Sequence, residues 1–225
     1  RMTHMLHTLG RHTSPHREEQ YFMSAKTDIK RIDSYEDKRF SKTALQQHGA
    51  YLVDDSPYEI VITSRNKAVV NGADNRLFDS LIEEFRYHAP HITEFVDKEG
   101  HQIKSFPPDD IVEIKLDSIQ PSQFYIDEEK INAIAAFIKT PEDVIVQVIK
   151  WNDRYISLDG HTRLFYAYKR GFTYVNAVIA DVEDWVWDFV REANARNIYK
   201  VSDMTLLPHD EYEIKWNQFC RDFFA

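Results

Sequence analysis

The residues with the clearest chemical potential stand in one run, Asp159–Arg163, which reads D-G-H-T-R. The run follows a strand-like segment and opens an apolar helical pattern. A helix start leaves backbone N–H groups without intrahelical partners, and the helix dipole adds partial positive charge there. Gly160 lets an anion approach the backbone, and Arg163 can hold a phosphate through two parallel hydrogen bonds. The pattern therefore predicts a phosphate-type anion site.

The other side chains of this run extend the prediction. His161 and Thr162 supply donors on the first helical turn, and Asp159, just outside the helix, can bind Mg²⁺ or accept a proton. A purely structural interpretation stays open, in which Asp159 caps the helix, Arg163 pairs with a surface carboxylate and Gly160 makes a turn. The position between a tight hairpin and an apolar helix strengthens the functional interpretation.

Three other polar groups also allow two interpretations. Asp127, Glu128 and Glu129 open a helix, where carboxylates are electrostatically favourable, but one of them could face the Asp159 loop. His88 and His91 could bind a metal, although no third ligand stands near them in the sequence. An acidic cluster is typical of a solvated face, with metal binding as the alternative. Its members are Asp181, Glu183, Asp184 and Asp188.

The C-terminal region carries a basic group and an aromatic group. Arg191, Arg196 and Lys200 could lie on the surface or complete a phosphate or carboxylate pocket. The aromatic residues fall at helical spacing, which predicts either a core position or a homodimer interface. They are Trp216, Phe219, Phe223 and Phe224.

Composition limits the classes of function. The net charge of −9 argues against DNA binding, because DNA affinity depends on Lys and Arg neutralising phosphates. Cys220 is the only cysteine, which excludes an intrachain disulfide and a cysteine zinc cluster and predicts a cytoplasmic location. No run approaches the roughly 20 apolar residues of a membrane span. Residues 1–22, rich in His, Arg and Thr, are predicted to be an added or disordered leader before Met23.

Hydrophobic patterning divides the chain into four parts. Residues 1–43 comprise the leader and an extended arm. Residues 44–106 form a small α+β unit, in which Asp74 caps a helix between groups of strands. A Pro-Pro-Asp-Asp break then opens residues 107–181, which carry a βαββαβ-like pattern. Residues 182–225 are predicted to be a helical extension.

The third part resembles the ParB/sulfiredoxin superfamily. The residues that carry the resemblance are the strand Ile111–Leu116, the segment Ile119–Pro121, the helix from Asp127, and the run Leu158–Gly171. That run is similar to the family signature G-x-x-R-x-x-A-x-x-x-G. The resemblance covers about a third of the chain and implies a mixed sheet-and-helix domain of the ParB/sulfiredoxin type.

The resemblance also separates the functions within the superfamily. Sulfiredoxin-like reductases carry a cysteine where this chain has His161. The resemblance therefore implies no reductase chemistry for this chain. Chromosome-partition ParB proteins carry a G-E-R-R loop that binds a cytidine nucleotide, followed by a helix-turn-helix region. Here His161 and Thr162 replace the Glu and the first Arg, and the segment after residue 181 is acidic and aromatic. DNA partitioning is therefore not expected.

The loop is most similar to that of the free-serine kinases of this superfamily, which reads D-G-H-x-R. Those enzymes use a nucleotide and Mg²⁺ to phosphorylate the hydroxyl of free L-serine. They place a catalytic Glu shortly after a proline in the first loop, where this chain has Gln123. Glutamine cannot act as a general base. Either Asp127, Glu128 or Glu129 takes that role, or the chain is not such a kinase.

The resulting expectation is a phosphotransferase for a small hydroxyl-bearing metabolite. The alternative is a non-catalytic, nucleotide-binding ParB-like module with a regulatory or DNA-associated role. The predicted cofactors are ATP or ADP, with CTP as a further candidate, and Mg²⁺ at Asp159. The predicted phosphate-binding residues are Gly160, His161, Thr162 and Arg163. The predicted catalytic positions are Asp159, His161, Gln123 and Glu128.

Overall fold

A computed structural model describes residues 27–135 and 137–225, and these residues fold into mixed sheets and helices. The α+β class predicted from the sequence is confirmed. The leader predicted for residues 1–22 lies outside the described residues.

The described residues form thirteen strands in three sheets. The strands are β1 (Ile29–Arg31), β2 (Ala50–Val53), β3 (Ser56–Ser64), β4 (Lys67–Asn71), β5 (Glu94–Val96), β6 (Gln102–Ser105), β7 (Ile111–Lys115), β8 (Ile119–Pro121), β9 (Tyr125–Asp127), β10 (Ile145–Trp151), β11 (Arg154–Ser157), β12 (Tyr174–Ile179) and β13 (Thr205–Leu207). The α-helices of this part of the chain are α1 (Lys42–Gln46), α2 (Phe78–His88), α3 (Glu128–Ile134), α4 (His161–Lys169), α5 (Trp185–Ala195), α6 (His209–Tyr212) and α7 (Phe219–Phe223).

The first sheet has the strand order β1-β2-β3-β4-β5-β6 and packs against α2, which buries Leu81 and Ile82. Asp54 and Asp55 form a two-residue turn between β2 and β3, and their φ angles of 46° and 65° are those of a type I′ hairpin. The predicted arm joins this sheet, because β1 pairs with β2 and places Ile29 opposite Val53. The first unit, as used below, therefore spans residues 29–106.

The second sheet has the order β7-β12-β10-β11-β8, and its central strand β10 carries the fully buried Val148 and Ile149. Strands β8 and β11 are parallel, so their carboxyl ends lie at the same edge. Ser122 follows β8 there, and Asp159 follows β11. Strand β10 runs antiparallel to β11, so its first residue, Ile145, lies at this edge too. The topology thus gathers three segments around the start of α4.

The C-terminal helices complete the core of the second sheet. The rings of Phe189 and Trp216 lie 5.8 Å apart, and Phe124 and Trp216 are 4.8 Å apart edge to face. Trp216 and Cys220 are buried in the same hydrophobic cluster as residues of β7, β10 and β12. Trp216, one of the aromatic residues predicted to lie in the core or at an interface, is therefore a core residue. Residues Glu213–Gln218, between α6 and α7, have π-helical geometry.

Asp127 joins two parts of this second unit. Its fully buried carboxylate caps α3 by accepting a hydrogen bond from the Glu129 N–H at 2.9 Å, and it lies 2.8 Å from His209 Nδ1. The hydrogen bond to Asp127 raises the pKa of His209. The side chain therefore holds the start of α3 against the start of α6.

Replacing Asp127 with alanine should lower the free energy of unfolding by about 2 kcal/mol, because the helix loses its cap and His209 loses its partner. Urea unfolding monitored by circular dichroism measures this change. Glu128→Ala is the matched control, since Glu128 is the exposed neighbouring carboxylate and should shift stability by about 0.5 kcal/mol or less. Equal stabilities of the two variants would contradict the capping role.

Candidate active site

A cleft of about 1320 Å³ lies between the first unit and the edge of the second sheet. The second unit contributes the run predicted from the sequence, Asp159–Arg163. The first unit contributes a facing wall whose polar members include Arg31, Tyr51, His88 and His91. The anion site predicted from one loop is therefore one side of a two-sided cleft.

Asp159 and Arg163 form an ion pair within this cleft. Arg163 Nη2 lies 3.1 Å from Asp159 Oδ2, and Arg163 Nη1 donates to the backbone carbonyl of Ile145. Burial opposes ionisation of Asp159, but the charge of Arg163 outweighs it and, together with a hydrogen bond from the Gly160 N–H, holds the pKa of the carboxyl below its usual value. The Asp159 side chain is 47% exposed, and that exposure is to the cleft, so an ionised carboxylate faces the space where a ligand would lie.

Gly160 allows the tight entry into α4. It has a φ of 82°, the left-handed region that favours glycine, and it occupies the N-cap position. A Cβ at this position would lie 2.6 Å from Val146 Cγ1 and 3.0 Å from Arg163 Nη2. The first helical bond runs from the Leu164 N–H to the Gly160 carbonyl, so the preceding N–H groups of α4 have no intrahelical acceptor. Thr162, on this first turn, also lines the cleft.

His161 has a different position from the one its predicted role requires. Its ring is 7% exposed, and Nε2 lies 2.9 Å from Ser157 Oγ and 3.1 Å from Ser122 Oγ. The Ser122 N–H also donates to Nε2, so Nε2 is an acceptor and the ring proton lies on Nδ1. The ring nitrogen is engaged because β8 and β11 end side by side and present both serines to it. His161 is therefore placed to connect these two loops rather than to donate to a phosphoryl group through Nε2.

The same burial should make the protein sensitive to acid. Burial lowers the pKa of His161 to about 4, against an ordinary value of about 6.5. Because the unfolded chain binds a proton at this histidine near pH 6.5 and the folded protein only near pH 4, the folded state has its full stability above pH 6.5. That stability is lost as the pH falls towards 4. The loss for His161 should be about 3 kcal/mol, since each pKa unit corresponds to about 1.4 kcal/mol.

Urea unfolding at pH 7 and at pH 4.5 tests this expectation. The wild type should lose stability at the lower pH, and His161→Gln should be less stable at pH 7 but should lose less on acidification. A pH dependence that is unchanged in His161→Gln would contradict the assignment. The comparison between the two proteins removes the contributions of the other histidines.

His88 and His91, considered as metal ligands from the sequence, lie in the facing wall of the cleft. Burial, followed by the charge of Arg31, lowers the pKa of His88 to about 4. Burial, followed by Arg163 and Arg65, lowers that of His91 to about 3. Both rings are therefore neutral at pH 7 and can accept or donate a hydrogen bond without adding charge.

Four residues were considered at or near the general-base position. Of these, Gln123 and Asp127 line the cleft, whereas Glu128 and Glu129 do not. Gln123 lines the cleft, but its amide donates to the Tyr125 carbonyl at 2.6 Å and lies 3.3 Å from the Tyr212 hydroxyl. Asp127 also lines the cleft and is held by its cap and by His209. Glu128 and Glu129 are exposed and are not among the described residues that line the cleft, because the first turn of α3 presents them to solvent.

The charged residues named from the sequence between positions 181 and 200 lie outside the cleft. Arg196 covers the ring of Phe124 at 4.4 Å and pairs with Glu192. The basic and acidic residues predicted there are not among the described residues that line the cleft. They are Arg191, Arg196, Lys200, Asp181, Glu183, Asp184 and Asp188.

Among the described residues, one group of three potential metal ligands has its atoms within 4.8 Å of one another, Asp97, Glu99 and His101. It belongs to the hairpin between β5 and β6 and does not line the cleft. In the same part of the chain, no helix combines the length and apolar character needed to cross a membrane.

Arg31 and Tyr51 of the facing wall were not predicted from the sequence, whereas His88 and His91 were considered there as possible metal ligands. Arg31 stands in a charged segment without clear periodicity, and Tyr51 reads as an ordinary strand residue. Ile29 and Ile32 are three residues apart, so the segment Ile29–Asp33 lacks the apolar–polar alternation that would have indicated its strand.

Comparisons with known proteins leave the family open. No family model matches the sequence, and no curated protein matches it. Among solved structures, the crystal structure of protein Atu1540 from Agrobacterium tumefaciens matches at 16% identity with a TM-score of 0.31. The match covers 43% of this chain and 61% of that chain. A similarity at this level carries no argument about fold or function.

Proposed function

We propose that this protein is a nucleotide-dependent phosphotransferase that acts on a small hydroxyl-bearing metabolite, with a second unit of the ParB/sulfiredoxin type. The observation that carries the proposal is the ionised Asp159 beside Arg163 at the start of α4, facing a cleft large enough for a nucleotide and a small acceptor. Phosphoryl transfer depends mainly on positioning and on electrostatic stabilisation, which such an arrangement can supply.

The phosphates would bind at the start of α4. Arg163 has donors that could turn from Asp159 and the Ile145 carbonyl to phosphate oxygens, and the N–H groups of the first turn point out of the helix. Thr162 adds a hydroxyl. Since Gly160 has no side chain, the phosphates can approach this backbone closely.

Asp159 would then act on the acceptor side. As Arg163 turns to the phosphates, the carboxylate becomes available to orient an acceptor hydroxyl or to accept its proton. Its low pKa keeps it ionised at neutral pH. One carboxylate also fits Mg²⁺, which proteins usually bind through one or two carboxylates together with substrate phosphates, and which neutralises the charge of those phosphates.

One observation favours a second candidate, a nucleotide-binding regulatory module without turnover. Gln123 stands where the free-serine kinases carry their catalytic Glu, and its amide already bonds to Tyr125 and Tyr212. In that case the cleft would bind a nucleotide and change the stability of the protein, but it would transfer no phosphoryl group. The net charge of −9 gives no support to a DNA-associated role.

A two-step measurement tests both candidates. Thermal unfolding is followed with ATP, ADP and CTP, each with and without Mg²⁺, and nucleotides that stabilise the protein are then incubated with L-serine or L-threonine and followed by phosphorus NMR. A phosphotransferase should consume the nucleotide only when an acceptor is present. Stabilisation without consumption would favour the regulatory module, and no stabilisation by any nucleotide would overturn both proposals.

A further inference from the structure

The wall that the first unit contributes to the cleft carries buried donors without partners. Tyr51 is 1% exposed and lines the cleft, and its hydroxyl is buried without a hydrogen-bond partner in the described part of the chain. An unbonded buried hydroxyl costs about 1–3 kcal/mol, so native proteins rarely leave one without a ligand or water. Burial also raises the pKa of Tyr51, so the hydroxyl keeps its proton.

His48 presents a second donor of this kind. Its Nε2 lies 3.2 Å from the Tyr35 hydroxyl, whereas its buried Nδ1 has no partner among the described residues. Asp33 Oδ1 lies 3.9 Å from Nδ1, which is too long for a hydrogen bond. Burial lowers the pKa of His48 to about 3, so the ring is neutral. When Tyr35 donates to Nε2, the single ring proton lies on Nδ1.

Arg31 connects these two donors. It stands directly opposite Tyr51 in the register of β1 and β2, which places both side chains on the same face of the sheet. Its Nε donates to Asp33 Oδ1 at 3.0 Å, and within the described residues its terminal nitrogens make no hydrogen bond. Three groups of donors, from Arg31, Tyr51 and His48, thus occur together on one wall.

A cluster made of donors and one guanidinium selects an acceptor with negative charge. Asp33 pairs with Arg31 and is also within electrostatic reach of Lys130, and two cations beside one carboxylate match a singly charged anion better than a doubly charged phosphate. A carboxylate carries a single charge and two acceptor oxygens, which suits a guanidinium edge and two neutral donors.

We propose that the first unit binds the carboxylate of a small hydroxy acid, through Arg31, Tyr51 and His48. The role of that hydroxy acid as the phosphoryl acceptor rests on the proposed function, because its hydroxyl would then face Asp159 across the cleft. The carboxylate site itself is inferred only from the unpartnered donors of Arg31, Tyr51 and His48, and does not depend on the proposed function.

Titration calorimetry on the full chain with two probes tests the site. Glycolate carries a hydroxyl and a carboxylate, and ethanolamine carries the hydroxyl without the carboxylate. Glycolate should bind and ethanolamine should not. Arg31→Gln and Tyr51→Phe should each weaken glycolate binding about tenfold, since each removes a hydrogen bond to a charged group. Tyr51→Phe should leave the melting temperature of the unliganded protein unchanged or higher, because the lost hydroxyl bonds to no described residue.

Arg76→Gln is the matched control. Arg76 pairs with an aspartate two residues away, as Arg31 does, but it is 85% exposed and is not among the described residues of the cleft wall. Its substitution should leave glycolate affinity unchanged. The inference is overturned if glycolate does not bind, if ethanolamine binds as well as glycolate, or if Arg31→Gln and Tyr51→Phe keep the wild-type affinity.

The nucleotide measurements separate this inference from the proposed function. Stabilisation by a nucleotide should persist in Tyr51→Phe, because Tyr51 belongs to β2 of the first unit whereas the phosphates are proposed to bind at the start of α4. Glycolate binding without any nucleotide binding would overturn the phosphotransferase and leave the carboxylate site in place. Nucleotide binding without glycolate binding would overturn the carboxylate site alone.

Discussion

Asp159→Asn should reduce phosphoryl transfer at least about 100-fold while leaving the protein folded, because it removes the carboxylate charge that is proposed to act between the phosphates and the acceptor. Asparagine has nearly the same size as aspartate but can neither accept a proton nor balance a metal ion. The ion pair with Arg163 is partly exposed, at 22% and 47% of the two side chains, so its loss should lower stability by about 1 kcal/mol or less.

The measurement is the initial rate of phosphoryl transfer by phosphorus NMR, with urea unfolding of the same preparations. Asp181→Asn provides the matched control, since Asp181 is exposed and is not among the described residues of the cleft wall. It should transfer phosphoryl groups at the wild-type rate. An Asp159→Asn protein that keeps the wild-type rate would exclude Asp159 from the reaction.

Gly160→Ala should lower the free energy of unfolding by about 2–5 kcal/mol. The left-handed backbone at a φ of 82° disfavours any side chain by about 1–2 kcal/mol. The added Cβ would in addition meet Val146 at 2.6 Å and the guanidinium of Arg163 at 3.0 Å, and such overpacking costs about 1–3 kcal/mol. Displacement of the Arg163 guanidinium by this Cβ should also weaken nucleotide binding.

Gly171→Ala separates the two contributions in the same urea unfolding experiment. Gly171 has a similar φ of 75°, but a Cβ there meets no atom within 4 Å. Its substitution should therefore cost only the backbone contribution of about 1–2 kcal/mol. Equal losses for the two variants would mean that Val146 and Arg163 move aside freely, and that Gly160 is needed only for its backbone conformation.

Local sequence signals were sufficient for many individual elements. Asp74 and Asp127 were predicted to cap helices, and each side chain accepts a hydrogen bond from the backbone N–H two residues later. A tight hairpin was predicted before the Asp159 run, and β10 pairs with β11 there across a turn at Asn152. These features depend on neighbouring residues and on the periodicity of one segment, so they can be recognised without the rest of the chain.

The orientation of individual side chains could not be predicted in the same way. His161 was predicted to face a phosphate, but its ring nitrogen bonds to two serines that the parallel strands β8 and β11 place beside it. Gln123 was recognised as the departure from the free-serine kinases, yet its bonds to Tyr125 and Tyr212 became visible only in the folded chain. Such contacts depend on which strands lie side by side.

The sequence by itself determined the α+β class and the helix start that follows Asp159, because each follows from residues close together in the chain. The tertiary structure decided that this helix start faces a wall carrying Arg31, Tyr51, His48 and His88. That wall comes from strands and a helix of a separate sheet, far away in sequence. Only the packing of the two units, which buries surface without regard to sequence distance, brings its donors opposite the Asp159 carboxylate.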